Sequence, residues 1–307
     1  MDIGIGLAIF ALGLAFGSFL NVCIYRLPRG LSVVRPGSSC PHCEKPIAFY
    51  DNVPVLSWLI LGGRCRTCQT PITPRYLVVE LLTAAIFLAC YWHFGFTLAL
   101  AKYCSFGFLA LGLIFTDAET MLLPDKMTVS GLALGLIFSL VVPIHDLVSQ
   151  LLPGLVSLHS GSHVPWQVAS LMDALMGAAV GSSFIYGVGA IYLRARGVQG
   201  MGFGDVKLMA MVGAFLGIRL TICTLFAASI AGSLFGLSTI LAVWLKRTRR
   251  RMKRRHESAQ ESRRRAWASA TIALRHYQMP FGVFLAGMAI VACFFGNDFL
   301  RWYWGLL

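Results

Sequence analysis

Long apolar runs separated by short polar stretches dominate the chain. Runs close to the ~20 residues needed to cross a hydrocarbon core lie at residues 3–22, 76–92, 97–115, 127–147, 171–193, 206–218, 220–245 and 280–295. They predict eight membrane-spanning helices, the sixth of them short. Glycines spaced four apart (Gly13/Gly17, Gly131/Gly135, Gly177/Gly181, Gly213/Gly217 and Gly232/Gly236) fall inside these runs. Small residues at that spacing let helix backbones approach closely, which suits a compact bundle.

Composition agrees with the pattern. The 307 residues are 57% hydrophobic and only 13% charged, with a mean hydropathy of +0.72, so the fold class is an all-α polytopic membrane protein. The net charge of +13 does not point to nucleic acid, because Lys and Arg concentrate in residues 246–275, directly after an apolar run. A basic block in that place marks a cytoplasmic face lying against anionic membrane lipids. No basic residue precedes the first run, while Arg26, Arg29 and Arg35 follow it. That is the reverse of a cleavable signal, so the first helix stays in place and starts outside.

Counting from that start puts residues 25–75, 194–204 and 246–278 in the cytosol, and all three are basic. Asp117, at the end of the third helix, and Asp205, at the start of the sixth, then share one membrane depth. The outside loop at residues 153–166 holds His159 and His163 but no third ligand nearby, so it reads as an ordinary loop. The basic residues 246–265 carry helix formers without an apolar stripe, as a solvated or lipid-facing helix does.

Two constellations carry chemistry. CPHC at residues 40–43 and CRTC at residues 65–68 offer two pairs of thiolates at about zinc-ribbon spacing. In a cytosolic loop thiols stay reduced, which argues against disulfides. Four sulfurs complete a tetrahedral shell, so Cys40, Cys43, Cys65 and Cys68 predict a structural zinc that folds the loop without catalysing. Cys23, Cys90, Cys104, Cys223 and Cys293 lie in or beside apolar runs and read as packing residues.

The second constellation is GMGFGD, ending at Asp205, with FTDAETMLLPD, which contains Asp117 and Asp125. A carboxylate is costly in hydrocarbon without a partner or a task. Two of them brought together hold one proton jointly, which suits peptide hydrolysis: one draws a proton from water while the other hydrogen-bonds the scissile carbonyl. Asp125, after Pro124, reads instead as the N-cap of the fourth helix. Glu80, near the start of the second helix, either meets a cationic peptide or amino terminus or pairs with Arg75. No GxSxG and no cysteine–histidine arrangement suggests another nucleophile.

Six stretches in order resemble the type IV prepilin peptidases, bifunctional leader peptidases and N-methyltransferases of pilus and type II secretion systems. They are GSFLNVCIYRLPRG (17–30), YDNVPVLSWLILGGRC (50–65) between the cysteine pairs, ITPRYLVVELLTA (72–84), TDAETMLLPD (116–125), GMGFGDVKLMAMVGAFLG (200–217) and MPFGVFLAG (279–287). The resemblance implies a GxGD aspartic peptidase with Asp117 and Asp205 catalytic. It also implies cleavage of the basic leader of prepilins or pseudopilins after glycine at the cytoplasmic face of the bacterial inner membrane. Methylation of the new amino terminus with S-adenosylmethionine completes the expectation, although no glycine-rich nucleotide loop is present to hold that cofactor. Three parts follow: residues 1–23 as the first membrane helix, 24–75 as the cytosolic zinc-binding loop, and 76–307 as the peptidase membrane domain with its basic cytosolic segment 246–278. The 153–166 loop and that basic segment are both longer than the family pattern. Two other classes compete: an ion or proton-coupled transporter using paired acids, for which no repeated halves are visible, and a non-catalytic assembly factor docking through the zinc loop.

Overall fold

The computed structural model describes residues 2–40, 42–144, 146–147, 149–150, 165–198, 200–255, 260–261, 264–267, 269 and 280–305. The 153–166 loop, apart from its last two residues, and much of the basic segment beyond residue 255 lie outside them. Eight helices are used below: α1 (Ile3–Arg26), α2 (Leu56–Ile60), α3 (Arg75–Phe94), α4 (Leu98–Thr120), α5 (Asp125–Ser139), α6 (Trp166–Arg196), α7 (Phe203–Arg255) and α8 (Phe281–Trp304). Among the described residues no strand is present beyond two isolated bridges, Ser39 with Pro46 and Arg64 with Pro71. Six of the helices are long and apolar enough to cross a membrane.

The difference between six and eight has a physical origin in α7. At Gly217 the backbone takes φ 78°, ψ −176°, a conformation outside the helix and open in practice only to glycine. Residues on either side run in opposite directions. A Cβ on Gly181 of α6 would meet both the Met209 carbonyl and the Thr221 side chain, so 209 and 221 lie at one level. Leu220 packs on Gly296 near the end of α8, whereas Phe235 meets Phe284 near its start, ring centres 5.4 Å apart and tilted by 53°. Residues 203–216 therefore go one way, the chain reverses at Gly217, and residues 218–255 return. With α5, which spans 15 residues, the expected eight segments are all present.

Two of them are short. At 1.5 Å per residue, residues 203–216 and α5 reach ~21 and ~22 Å, below the ~30 Å hydrocarbon thickness. The fourth helix was expected to run to residue 147 and ends at Ser139, because Pro143 cannot continue the ladder, and Ile144 and Asp146 lie against the Gly217 reversal. The last helix extends beyond the expected residue 295 to Trp304.

Small residues set the helix contacts. A Cβ on Gly13 or Gly17 of α1 would lie 2.6 Å from the Ala84 or Glu80 Cα of α3, and one on Gly213 would lie 2.1 Å from the Gly177 carbonyl oxygen of α6. At such approach backbone packs on backbone, the packing that holds helices together where lipid gives no hydrophobic drive. Buried Asn21 adds a polar tie, donating to the Tyr76 carbonyl at 3.1 Å.

Candidate active site

The aspartate site is built from three helix ends. Asp117 sits in the last turn of α4, which closes when Met121 adopts φ 53° and its N–H bonds the Asp117 carbonyl. That stop turns the chain so that Leu123 lies between Gly204 at the start of α7 and Gly282 at the start of α8. Asp205 occupies the first turn of α7, its N–H on the Gly202 carbonyl at 3.1 Å. Both carboxyl groups are buried, with 5% and 8% of their residue surface exposed. Leu123 joins them, since it touches Gly204, next to Asp205, and Gly282, whose Cβ position lies 2.8 Å from Asp117 Oδ2. Helices running in opposite senses, far apart in the chain, thus deliver two acids to one place.

Asp117 has a further partner that sequence reasoning missed. The Val283 N–H, in the first turn of α8, donates to Asp117 Oδ2 at 3.1 Å. A carboxylate at a helix N-terminus meets free N–H groups and the positive end of the helix dipole. Gly282 makes this possible, since a Cβ there would lie 2.8 Å from the same oxygen. The MPFG stretch was visible, but a backbone donor leaves no signal in the side-chain pattern.

Asp125 corrects an expectation. Pro124 is the N-cap of α5 and Asp125 is its first residue. Its carboxylate pairs with Lys207, two residues after Asp205, at 2.6 Å, which fastens the starts of α5 and α7 together. The pairing of Glu80 with Arg75 is not formed. Arg75 pairs with Glu119 at 2.6 Å, while Glu80 Oε2 accepts the Val55 N–H at 2.7 Å.

The four cysteines of the loop converge, every ligand sulfur within 4.8 Å of the others. The two CxxC turns repeat one geometry. Cys40 N–H bonds the Lys45 carbonyl and Cys65 N–H the Thr70 carbonyl, both at 3.0 Å, and the residues after each pair, Glu44 and Gln69, share φ of 58° and 55°. Hydrogen bonds from the Thr70 hydroxyl and backbone draw the Cys68 thiol down to about 6, which favours the thiolate that a metal binds. Exposed His42 lies outside the group. Arg66 closes the loop on Asp51 with two hydrogen bonds at 2.7 and 2.6 Å, and holds that carboxyl below the usual range.

Comparison with known proteins places this arrangement. The bacterial peptidase A24 N-terminal domain matches residues 11–94, and the type IV leader peptidase family matches residues 103–237. A relative from Aeromonas hydrophila is 32% identical over 96% of this chain and 92% of its own length. One from Neisseria gonorrhoeae is 36% identical over 72% of this chain and 77% of its own. The chain belongs to the type IV leader peptidase family. A Myxococcus xanthus relative is 38% identical over 76% of the chain, which spans 63% of that relative's length. All three relatives are named prepilin leader peptidase/N-methyltransferase. No solved structure matches.

The two family segments correspond to physical parts. The N-terminal match contains α1, the four-cysteine loop and α3; the peptidase match begins in α4 and contains both aspartates. The multi-pass membrane character and the peptidase assignment are thus joined in one molecule, with a four-thiol cluster able to hold a metal.

Proposed function

We propose that this chain cleaves the leader from type IV prepilins or pseudopilins at the cytoplasmic face of the bacterial inner membrane and methylates the amino terminus it exposes. Asp117 and Asp205 are the catalytic pair. The observation that carries the reading is the burial of both acids at helix ends that meet around Leu123, with Asp117 anchored on the start of α8. The named activity of the relatives supports the substrate class.

In the proposed reaction one carboxylate takes a proton from water as the oxygen attacks the scissile carbonyl. Its protonated partner hydrogen-bonds the carbonyl oxygen, and a proton then passes to the departing amine nitrogen as the C–N bond breaks. The Val283 N–H fixes Asp117 so that it need not reorganise during attack. Zinc suits the loop, since four thiolates give a closed shell, and its role there is to fold residues 24–75. S-adenosylmethionine, when bound, supplies an electrophilic methyl group; the chain's part is to hold the new amine unprotonated, and no residue is assigned to that cofactor.

The test is incubation of the purified protein with a prepilin peptide and S-adenosylmethionine, read by mass. The expected products are a leader ending in glycine and a mature peptide heavier by one methyl group. Asp117→Asn and Asp205→Asn should each abolish cleavage in a folded, membrane-inserted protein. Retained cleavage in either variant refutes the dyad. Cleavage surviving loss of both acids but not of the cysteines would favour an assembly role.

A further inference from the structure

At the opposite end of the bundle from the aspartates, the Gly217 reversal is held by a buried polar clamp that the reaction does not use. Asp146 is 3% exposed. Its Oδ2 accepts the Arg219 N–H at 2.9 Å, and its Oδ1 lies 3.2 Å from the Arg219 Nε and accepts the Leu147 N–H at 2.8 Å. One carboxylate thus caps the returning half of α7 and grips the side chain of the same residue. Arg219 reaches on to Gln150 Oε1 at 2.6 Å. The strap that carries Asp146 is fastened to α6, with Ile144 N–H on the Ser170 hydroxyl and Ser149 N–H on Asp173, each at 2.9 Å. The fit leaves no slack, since a Cβ on Gly217 would sit 2.5 Å from Asp146 Oδ2.

A reversal inside a membrane protein needs such a clamp because its freed N–H groups have no water to turn to. The location gives it a second consequence. Residues 203–216 form one uninterrupted helix with Asp205 at one end and the clamp at the other, ~18 Å away at 1.5 Å per residue. A helix is stiff along its axis, so its position at Gly217 fixes the depth of Asp205 beside Asp117. A slip of one residue at the clamp would shift the carboxylate ~1.5 Å, and a misplacement near 1 Å costs roughly a hundredfold in rate.

We infer that Asp146, gripping Arg219 across the Gly217 reversal, is a positioning residue for Asp205, setting from the far side of the membrane the depth at which the two acids meet. This rests on the proposed role of Asp117 and Asp205. Three variants test it: Asp146→Ala, Asp146→Asn, which keeps an oxygen to accept the Arg219 N–H, and Arg219→Ala, which keeps the N–H and loses the guanidinium. Cleavage kinetics are measured per folded molecule. A cysteine pair replacing Asp125 and Lys207, whose side chains meet at 2.6 Å, reports the position of α7 independently of activity through its rate of cross-linking by a short bifunctional thiol reagent, read by mass.

The expected result for Asp146→Ala is a fall in kcat of roughly tenfold to a hundredfold with KM unchanged, together with slowed cross-linking. Asp146→Asn should restore kcat to within about threefold, and Arg219→Ala should lie between them. Wild-type kcat in Arg219→Ala and in folded Asp146→Ala overturns the inference. So does cross-linking at the wild-type rate, even where melting is lowered, because the clamp would then be structural only. If Asp146→Ala does not fold, Arg219→Ala and Asp146→Asn decide by the same readouts. Failure of the underlying reading looks different, as Asp205→Asn would then cleave normally whatever the clamp variants do.

Discussion

Gly282→Ala tests the site at its tightest contact. The added Cβ would lie 2.8 Å from Asp117 Oδ2, 3.1 Å from its Cγ and 3.2 Å from Leu123 Cδ1. Ordinary contact begins near 3.4 Å, so the carboxyl must retreat by about 0.6 Å, and Leu123 blocks part of the way. The retreat lengthens the 3.1 Å bond from Val283 N–H. Two routes give the size of the effect. A hydrogen bond to a charged group contributes about 1.5–3 kcal/mol. A catalytic group misplaced by most of an ångström loses roughly tenfold to a hundredfold, which is about 1.4–2.7 kcal/mol in barrier. They agree, so kcat for a prepilin peptide should fall by one to two powers of ten while KM barely moves, because the substrate contacts are untouched. Gly287→Ala is the control. It lies five residues further along α8 with no atom within 4 Å of its added Cβ, and it should leave kcat unchanged while stabilising the helix by up to ~1 kcal/mol. A Gly282→Ala enzyme with wild-type kcat would refute the assignment of Asp117 to the reacting centre.

Other substitutions probe different parts. Cys65→Ser should reduce bound metal, measured by elemental analysis, to well under one ion per chain and leave residues 24–75 open to protease while the membrane helices stay intact. Gly213→Val drives side-chain carbon into the Gly177 carbonyl, 2.1 Å from its Cβ position, and should cost about 3 kcal/mol or more in thermal unfolding in detergent. Arg75→Gln breaks the 2.6 Å pair with Glu119 at the partly exposed protein surface, and stability should fall by less than ~1 kcal/mol. A larger loss would mean that this pair anchors α3 to α4.

Much of the bundle was legible because membrane helices announce themselves by run length, and the basic loops fixed which ends share a side. That count alone brought Asp117 and Asp205 to one level. The short sixth run was legible too, but its cause was not: nothing local distinguishes Gly217, which turns the chain, from Gly213, which packs on α6. Contacts across the bundle escape a linear reading for the same reason. Asp146 fell in the last turn of the expected fourth helix, 127–147, and only the folded structure shows it capping a helix that begins at residue 218. The Asp125 error is of another kind. Pro124 did mark the start of α5, but it takes the N-cap place itself, which puts Asp125 in the first turn with its carboxylate on Lys207.

The Glu80–Val55 contact joins the four-cysteine loop to the membrane helices of the N-terminal family segment. Val55 holds φ 61°, a conformation that a β-branched residue avoids at a cost of about 1–3 kcal/mol. Its N–H is delivered to Glu80 Oε2 at 2.7 Å, a bond to a carboxylate that returns about 1.5–3 kcal/mol. The two terms nearly cancel, so the contact cannot hold the loop down by itself; the loop must be kept folded by something else. Among the described residues of the loop the four-thiol cluster is where a bound metal would concentrate folding energy, whereas the Arg66–Asp51 pair, with its guanidinium half exposed, contributes little. Glu80 in turn lies where α1 and α3 touch, its Cα 2.6 Å from the Cβ position of Gly17. Removing a metal from the four thiols should therefore reach past the loop: it would take the Val55 donor from a buried carboxylate where α1 and α3 touch, leaving Glu80 with Ser18 alone, and weaken that helix pair.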